Sequence, residues 1–422
     1  MQIYPKNNNI DSKLSVRFQQ ILFWGFTYTI LSGILRKWVF FSGMLSNVLL
    51  FGQLILPLIL AWQCSKIDTG NKKKYTSTII IYCITLSLMA ANPLNHTVFH
   101  GIIGFVIHAG FWCVLLVYLN IASPTINLKQ LDNFLIFILI LETVLASIQY
   151  NLPSDHILNR YAREMEAVAI VGENIRVTGT FSYLGGMGAL AIFYSFFAWY
   201  LLNQKKIALF LTVLIMTGYI TLLTGSRTAF FSFIIITIIA IYENREVTNK
   251  LLKRIISIGV LIMILTVFYN PFESIEKAWG NFEERTTSLN ERGESSNRIY
   301  KQFMSAFLYH GDQPLFGSGL GSDYQGTNSV FGTSQTRLQY GFTEEEGERI
   351  VFEGGYTLLL IRFILFIIVL SAMPIKTISK WILFILFFPG LLVFHTYMTF
   401  FVAMGFMWIN QSKLVTAKET TQ

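Results

Sequence analysis

Charge is what this chain has least of. Only 13% of its 422 residues are Asp, Glu, Lys or Arg, against about 25% in soluble domains, whose surfaces must be solvated. With 53% hydrophobic and 15% aromatic residues, the chain cannot cover itself with polarity, and its solvent is lipid. Cysteine is nearly as scarce. Cys64, Cys83 and Cys113 lie in or beside apolar segments and form no CxxC pair, so neither a disulfide framework nor a structural zinc site is implied. There is no Walker loop, HExxH or DxD pair; this argues against ATP-driven transport and against an enzyme using a metal-bound sugar nucleotide. No metal and no cofactor are expected. The chain shows no internal repeat and no low-complexity tract.

What is present is a series of apolar runs. A helix needs about 20 apolar residues to cross the hydrocarbon core. On that measure the chain is an all-α, polytopic integral membrane protein of about a dozen spans. They lie near 18–35, 39–62, 75–92, 98–122, 131–150, 178–203, 206–224, 227–242, 254–270, 354–373, 379–394 and 396–410. The last two form one long stretch with a break near 389–395, so eleven and twelve spans both fit. A polar leader precedes a first run too long for a cleavable signal and without a small-residue cleavage site, so this end reads as a signal anchor.

The net charge of +8 does not imply nucleic acid, because the basic residues stand in short clusters between spans. With the N-terminus inside, the inner segments hold Lys6, Lys13, Arg17, Lys66, Lys72, Lys73, Lys74, Lys129, Lys205, Lys206, Arg245, Lys250, Lys253, Arg254, Lys376, Lys380, Lys413 and Lys418. The short outer turns hold only Arg36, Lys37 and Arg227. That is a strong positive-inside bias. It makes two segments long and external, about 151–177 and about 271–353, the second lying between spans 9 and 10 of a single membrane domain, 1–422. Loops of that length are usually functional. Within the larger one, Ile299, Phe303, Ala306 and Phe307 fall on one face of an amphipathic helix expected over 297–309.

The outer cations oppose the charge bias, and that singles them out. Arg36 and Lys37 occupy the first outer turn, Arg227 a later one, Arg176 precedes a span and Arg298 opens the loop helix. An arginine costs up to about 2.5–3.5 kcal/mol at the centre of a spanning helix, less near the interface, so it usually has a partner. A lipid-linked diphosphate is one such partner, matching the guanidinium fork at interface depth; headgroups and loop carboxylates are others. Within the spans, Glu142 and Arg362 read as a buried ion pair that satisfies both charges. His100 and His108 share a face of the fourth span and, with no carboxylate near them in sequence, read as hydrogen-bonded packing residues. The acidic group at 344–348, including Glu346 and Glu348, and Glu353 beyond it offer carboxylates for general-base work on a sugar hydroxyl; solvated loop acids are the plainer reading.

In order along the chain come Arg176-Val-Thr-Gly-Thr-Phe181, Leu223-Thr-Gly-Ser-Arg227, Asn297-Arg298, Pro314-Leu-Phe-Gly-Ser-Gly-Leu-Gly321 and Glu353-Gly-Gly355. This succession resembles the bacterial O-antigen polymerases and O-antigen ligases over roughly 176–373, and the hydropathy resembles theirs throughout. The turn Gly33-Ile-Leu-Arg-Lys-Trp38 is similar to some exopolysaccharide polymerases of this group. The resemblance implies a metal-independent glycosyltransferase in the bacterial inner membrane, working on its periplasmic face on undecaprenyl-diphosphate-linked glycan donors and acceptors, with a chain-length regulator as a further partner. It implies phosphate-binding roles for Arg176, Arg227 and Arg298, and a place near substrate for Gly317, Gly319 and Gly321. Ligases of the family carry a histidine followed by asparagine before the span after the large loop. Here that region reads Thr343-Glu-Glu-Glu-Gly-Glu-Arg349, and His310 is the large loop's one histidine. A polymerase is therefore favoured, with a ligase and a lipid-oligosaccharide flippase as rivals.

Overall fold

The computed structural model describes residues 8–67, 73–123, 126, 128–162, 170–171, 174–245, 315–341, 346–388 and 396–421, with a few isolated positions between 246 and 314. The ninth expected span, the loop helix with Arg298, and the break near 389–395 lie outside the described residues. Eight helices come first: α1 Asn8–Ile34, α2 Met44–Ser65, α3 Thr76–Ala90, α4 Val98–Ile121, α5 Lys129–Tyr150, α6 Leu184–Asn203, α7 Ile207–Leu223 and α8 Arg227–Glu243. Two short helices, α9 Gln325–Phe331 and α10 Gln335–Tyr340, precede α11 Glu346–Ala372, α12 Thr377–Phe387 and α13 Thr396–Thr421. The one β element among the described residues is a two-residue antiparallel ladder, Ile170–Val171 with Asn174–Ile175.

Among the described residues α2, α4, α5, α6 and α11 are long and apolar enough to cross a membrane, and α3, α7 and α12 are shorter apolar helices. This is the pattern of a multi-pass membrane protein. Their outward faces keep large apolar side chains exposed, among them Ile81, Leu88, Ile215, Leu360 and Ile385; in water such a surface would aggregate.

The centre of the bundle is α6, whose most apolar stretch is 89% buried. A helix apolar all round belongs inside a large core. It packs chiefly against α13, where Phe193 meets Phe401 and Trp408, and against α7 and α8. α4 is the second buried helix and lies between α2, α3 and α13. Ion pairs tie one end of the bundle, Lys206 to Asp132 at 2.6 Å and Lys413 to Glu243 at 3.1 Å. The opposite ends of α5 and α7 meet the segment 177–183.

Two expectations need correction. The span expected near 178–203 starts later: α6 begins at Leu184, and the residues before it form a loop with Gly179 at φ +58°. The span expected from residue 354 belongs to a helix that begins at Glu346 and breaks at Gly355, φ +66°. A β-carbon at Gly355 would lie 2.2 Å from the carbonyl carbon of Leu315, so the segment from 315 inserts against the break.

Candidate functional site

The turn between α1 and α2 is a widened one. α1 ends in a π-turn, Leu35–Val39, in which the Phe40 amide donates to the Leu35 carbonyl at 2.6 Å. Such wide turns are rare and recur at functional sites. This one swings Arg36 and Lys37 inward, and both are buried. Arg36 donates from Nε to the Ser46 carbonyl at 3.1 Å and from a terminal nitrogen to the Ser182 hydroxyl at 2.7 Å. Lys37 Nζ donates to Thr178 Oγ1 at 2.6 Å and to the Gly179 carbonyl at 2.8 Å. Burial pushes the Lys37 ammonium down to about 7, with the Glu142 carboxylate opposing the shift.

The segment 177–183 is gripped from every side. Gln149 exchanges two hydrogen bonds with Gly179, both at 2.9 Å. Glu142 accepts from the Thr180 amide at 3.0 Å and from the Thr180 hydroxyl. Gly179 has to be glycine: its φ is positive, and a β-carbon there would overlap the Glu142 carboxylate. At the far side the Val177 amide donates to the Leu223 carbonyl at 3.3 Å, and Arg176 Nε to the Thr224 carbonyl at 2.9 Å. Arg227 is the first residue of α8, directly after Ser226, whose hydroxyl caps the helix by accepting from the Ala229 amide. A helix N-terminus carries partial positive charge and favours anions, and here an arginine adds to that field. Arg36 and Lys37 thus hold this short segment from α1 and Glu142 holds it from α5, while Arg176 just before it ties to the turn that Arg227 follows.

A second polar cluster lies deeper. Glu353, fully buried on α11, accepts from the Gly321 amide at 2.8 Å, the Asp323 amide at 3.0 Å and His108 Nε2 at 2.7 Å. His108 Nδ1 faces a guanidinium nitrogen of Arg362 at 2.7 Å. A guanidinium can only donate, so Nδ1 accepts and the ring proton sits on Nε2, pointing at the carboxylate. Arg362, neutral His108 and Glu353 thus form a three-membered chain whose end charges cancel. Asp323 pairs with Arg349 at 3.3 Å nearby. The glycines of the 315–321 segment allow this closeness. A β-carbon at Gly317 would strike the Glu353 carbonyl carbon, one at Gly319 the Asn95 amide, and one at Gly321 the His100 carbonyl.

The two clusters are joined through tyrosines. The Tyr397 hydroxyl meets Ser182 Oγ at 2.9 Å, on the oxygen that also receives Arg36, and Tyr324 hydrogen-bonds Thr396 beside it.

No family model, curated protein or solved structure matches this chain. The site therefore stands on its own geometry. Of the residues singled out by sequence, Arg36 and Lys37 bond to the 177–183 segment, Arg176 bonds to Thr224 of the α7–α8 turn, Arg227 opens α8 just after that turn, and Arg298 lies outside the described residues. Glu346 and Glu348 sit half-buried in the first turn of α11. Glu353 is closed off, its oxygens already occupied by three donors. Gly317, Gly319 and Gly321 face α4, α11 and the α3–α4 turn. The expected Glu142–Arg362 pair does not form: Glu142 serves Thr180 and Arg362 serves His108. His108 is no mere packing residue, because a carboxylate does reach it, from 245 positions away in the chain. Ser182, Tyr397 and Asp323 were missed altogether. Ser182 alone had a signal, since it directly follows the Thr-Gly-Thr-Phe motif.

Proposed function

We propose that this chain is a polymerase-like glycosyltransferase that joins undecaprenyl-diphosphate-linked oligosaccharide units on the outer face of a bacterial inner membrane. The reading includes about twelve spans with both termini inside, and it treats 271–353 as the external loop over the site. The observation that carries it is the placement of Arg36 and Lys37 on the 177–183 segment, with Arg176 bonded to the α7–α8 turn from which Arg227 opens α8. Each of these cations opposes the charge bias of its side, and a dianionic leaving group rewards their assembly in one place. In the reaction an acceptor-sugar hydroxyl attacks the anomeric carbon of the donor glycan. The bond from that carbon to the diphosphate oxygen breaks, and the lipid diphosphate leaves with the electron pair. Preorganised guanidinium groups stabilise the charge that develops on it. The hydroxyl proton passes to a carboxylate; Glu346 and Glu348, half-buried in the first turn of α11, suit that role better than the fully enclosed Glu353.

The test is glycan length in a strain that lacks the protein. Complementation with the wild type restores long chains, while Arg227→Ala leaves single units on the final carrier at normal protein level. Full-length glycan in the variant ends the diphosphate assignment. Polymer stranded on undecaprenyl diphosphate points to a ligase. One observation favours a second reading, a flippase: buried ionisable chains such as Arg362–His108–Glu353 mark proton relays in transporters. Loss of all units from the outer leaflet would select it.

A further inference from the structure

A groove of about 630 Å³ runs between α1 and α2. Its two ends differ in chemistry. At one end stand Arg17, which is exposed, and Gln63. Lys66 is close by in sequence, its ammonium 3.2 Å from the centre of the Trp62 ring. From there the groove is apolar, rimmed by the exposed Trp24 and Ile59. It stops at Tyr28, whose ring leans across to α2 and rests its hydroxyl where a side chain at Gly52 would be. Position 52 must be glycine for Tyr28 to close the groove there.

The length of the groove limits its occupant. Arg17 to Tyr28 is three helical turns, about 16 Å at 1.5 Å per residue, or roughly half of the ~30 Å hydrocarbon core. That is the depth of one leaflet. A transmembrane helix of a partner would need the full thickness. Among the described residues the charged side chains at the polar end are Arg17 and, one turn from Gln63, Lys66, and the lysine–arginine distribution puts that end on the cytoplasmic side. Basic pockets between spanning helices at that surface recruit anionic headgroups. The geometry points to a structural lipid site: one acyl chain of an anionic phospholipid of the inner leaflet lies in the α1–α2 groove, with its phosphate on Arg17. The site is separate from the cation cluster around 177–183 and does not depend on the glycan-transfer reading.

Native mass spectrometry of the full-length protein, titrated with phosphatidylglycerol or with phosphatidylcholine of the same chains, tests the assignment. The wild type should hold one phosphatidylglycerol at lipid ratios that leave phosphatidylcholine unbound. Arg17→Gln, on an exposed position, should weaken phosphatidylglycerol about fivefold, the size expected of one basic residue against an anionic surface, and bring it towards phosphatidylcholine. Ile59→Trp, which fills the groove from its lipid-facing rim, should remove the bound lipid while the melting temperature stays unchanged. Equal binding of the two lipids, or a wild-type titration from either variant, overturns the proposal. So does displacement of phosphatidylglycerol from the wild type by undecaprenyl phosphate, which would give the groove to the carrier, or a dimer that excludes lipid from it.

Discussion

The cluster around 177–183 and the cluster around Glu353 use the same kinds of side chain for opposite ends. In the deeper one, Arg362 and Glu353 stand at the two ends of His108, and Arg349 stands against Asp323. In the other, Arg36 and Lys37 donate to Ser46, Ser182, Thr178 and Gly179, and Arg176 donates to the Thr224 carbonyl. Opposite charges set against one another fix a buried backbone, while the cations at 177–183 hold a turn through hydroxyl and carbonyl oxygens. The comparison separates residues that build the protein from residues suited to act.

The largest effect expected is at Glu353. Glu353→Ala removes one of the carboxylates facing buried Arg362 and leaves His108 Nε2 and the Gly321 and Asp323 amides without their acceptor, which should cost about 3–5 kcal/mol, read as a collapse of the melting temperature in detergent. An unchanged melt would remove the distinction between the clusters. Gly321→Ala comes next, at about 1–3 kcal/mol, because the new methyl meets the His100 carbonyl and the φ of +75° is strained. Lys37 should make stability depend on pH. Its ammonium titrates near 7 when folded and near 10.5 when unfolded, so the unfolded chain holds the extra proton between those values. Stability then rises from about pH 7 towards pH 10, by at most about 1.4 kcal/mol per pH unit, and Lys37→Met should flatten that slope. Arg227→Ala, at a half-buried helix start, is expected to perturb the fold least, by about 1 kcal/mol or less, yet it is the variant expected to abolish glycan extension. A large loss of stability there would move Arg227 into the structural class.

The helices were legible because a membrane crossing demands a long apolar run, and little else in a chain looks like one. The cations at the α1–α2 turn stood out for a related reason, as exceptions to a charge rule, and Arg36 and Lys37 are buried there. The rest was hidden by what hydropathy cannot carry. Thr178 to Tyr183 is apolar enough to pass as the start of a span, and nothing in its composition reveals that Gly179 turns the chain left-handed there. Depth along a span was readable for Glu142 and Arg362, but which way each side chain faces around its helix depends on neighbours. Each therefore found a different partner. His108 and Glu353 meet only because the segment from 315 wedges against the Gly355 break, a contact between parts of the chain far apart in sequence.

The burial of α6 also has a bearing on biosynthesis. Its aromatic surface is completed by α13, so everything between Asn203 and Thr396 must leave the ribosome before Phe193 can meet Phe401 and Trp408. Until then a rim of phenylalanine and tryptophan stays open to lipid or to the insertion machinery, and a nascent chain halted anywhere in that interval would present it to quality-control proteases.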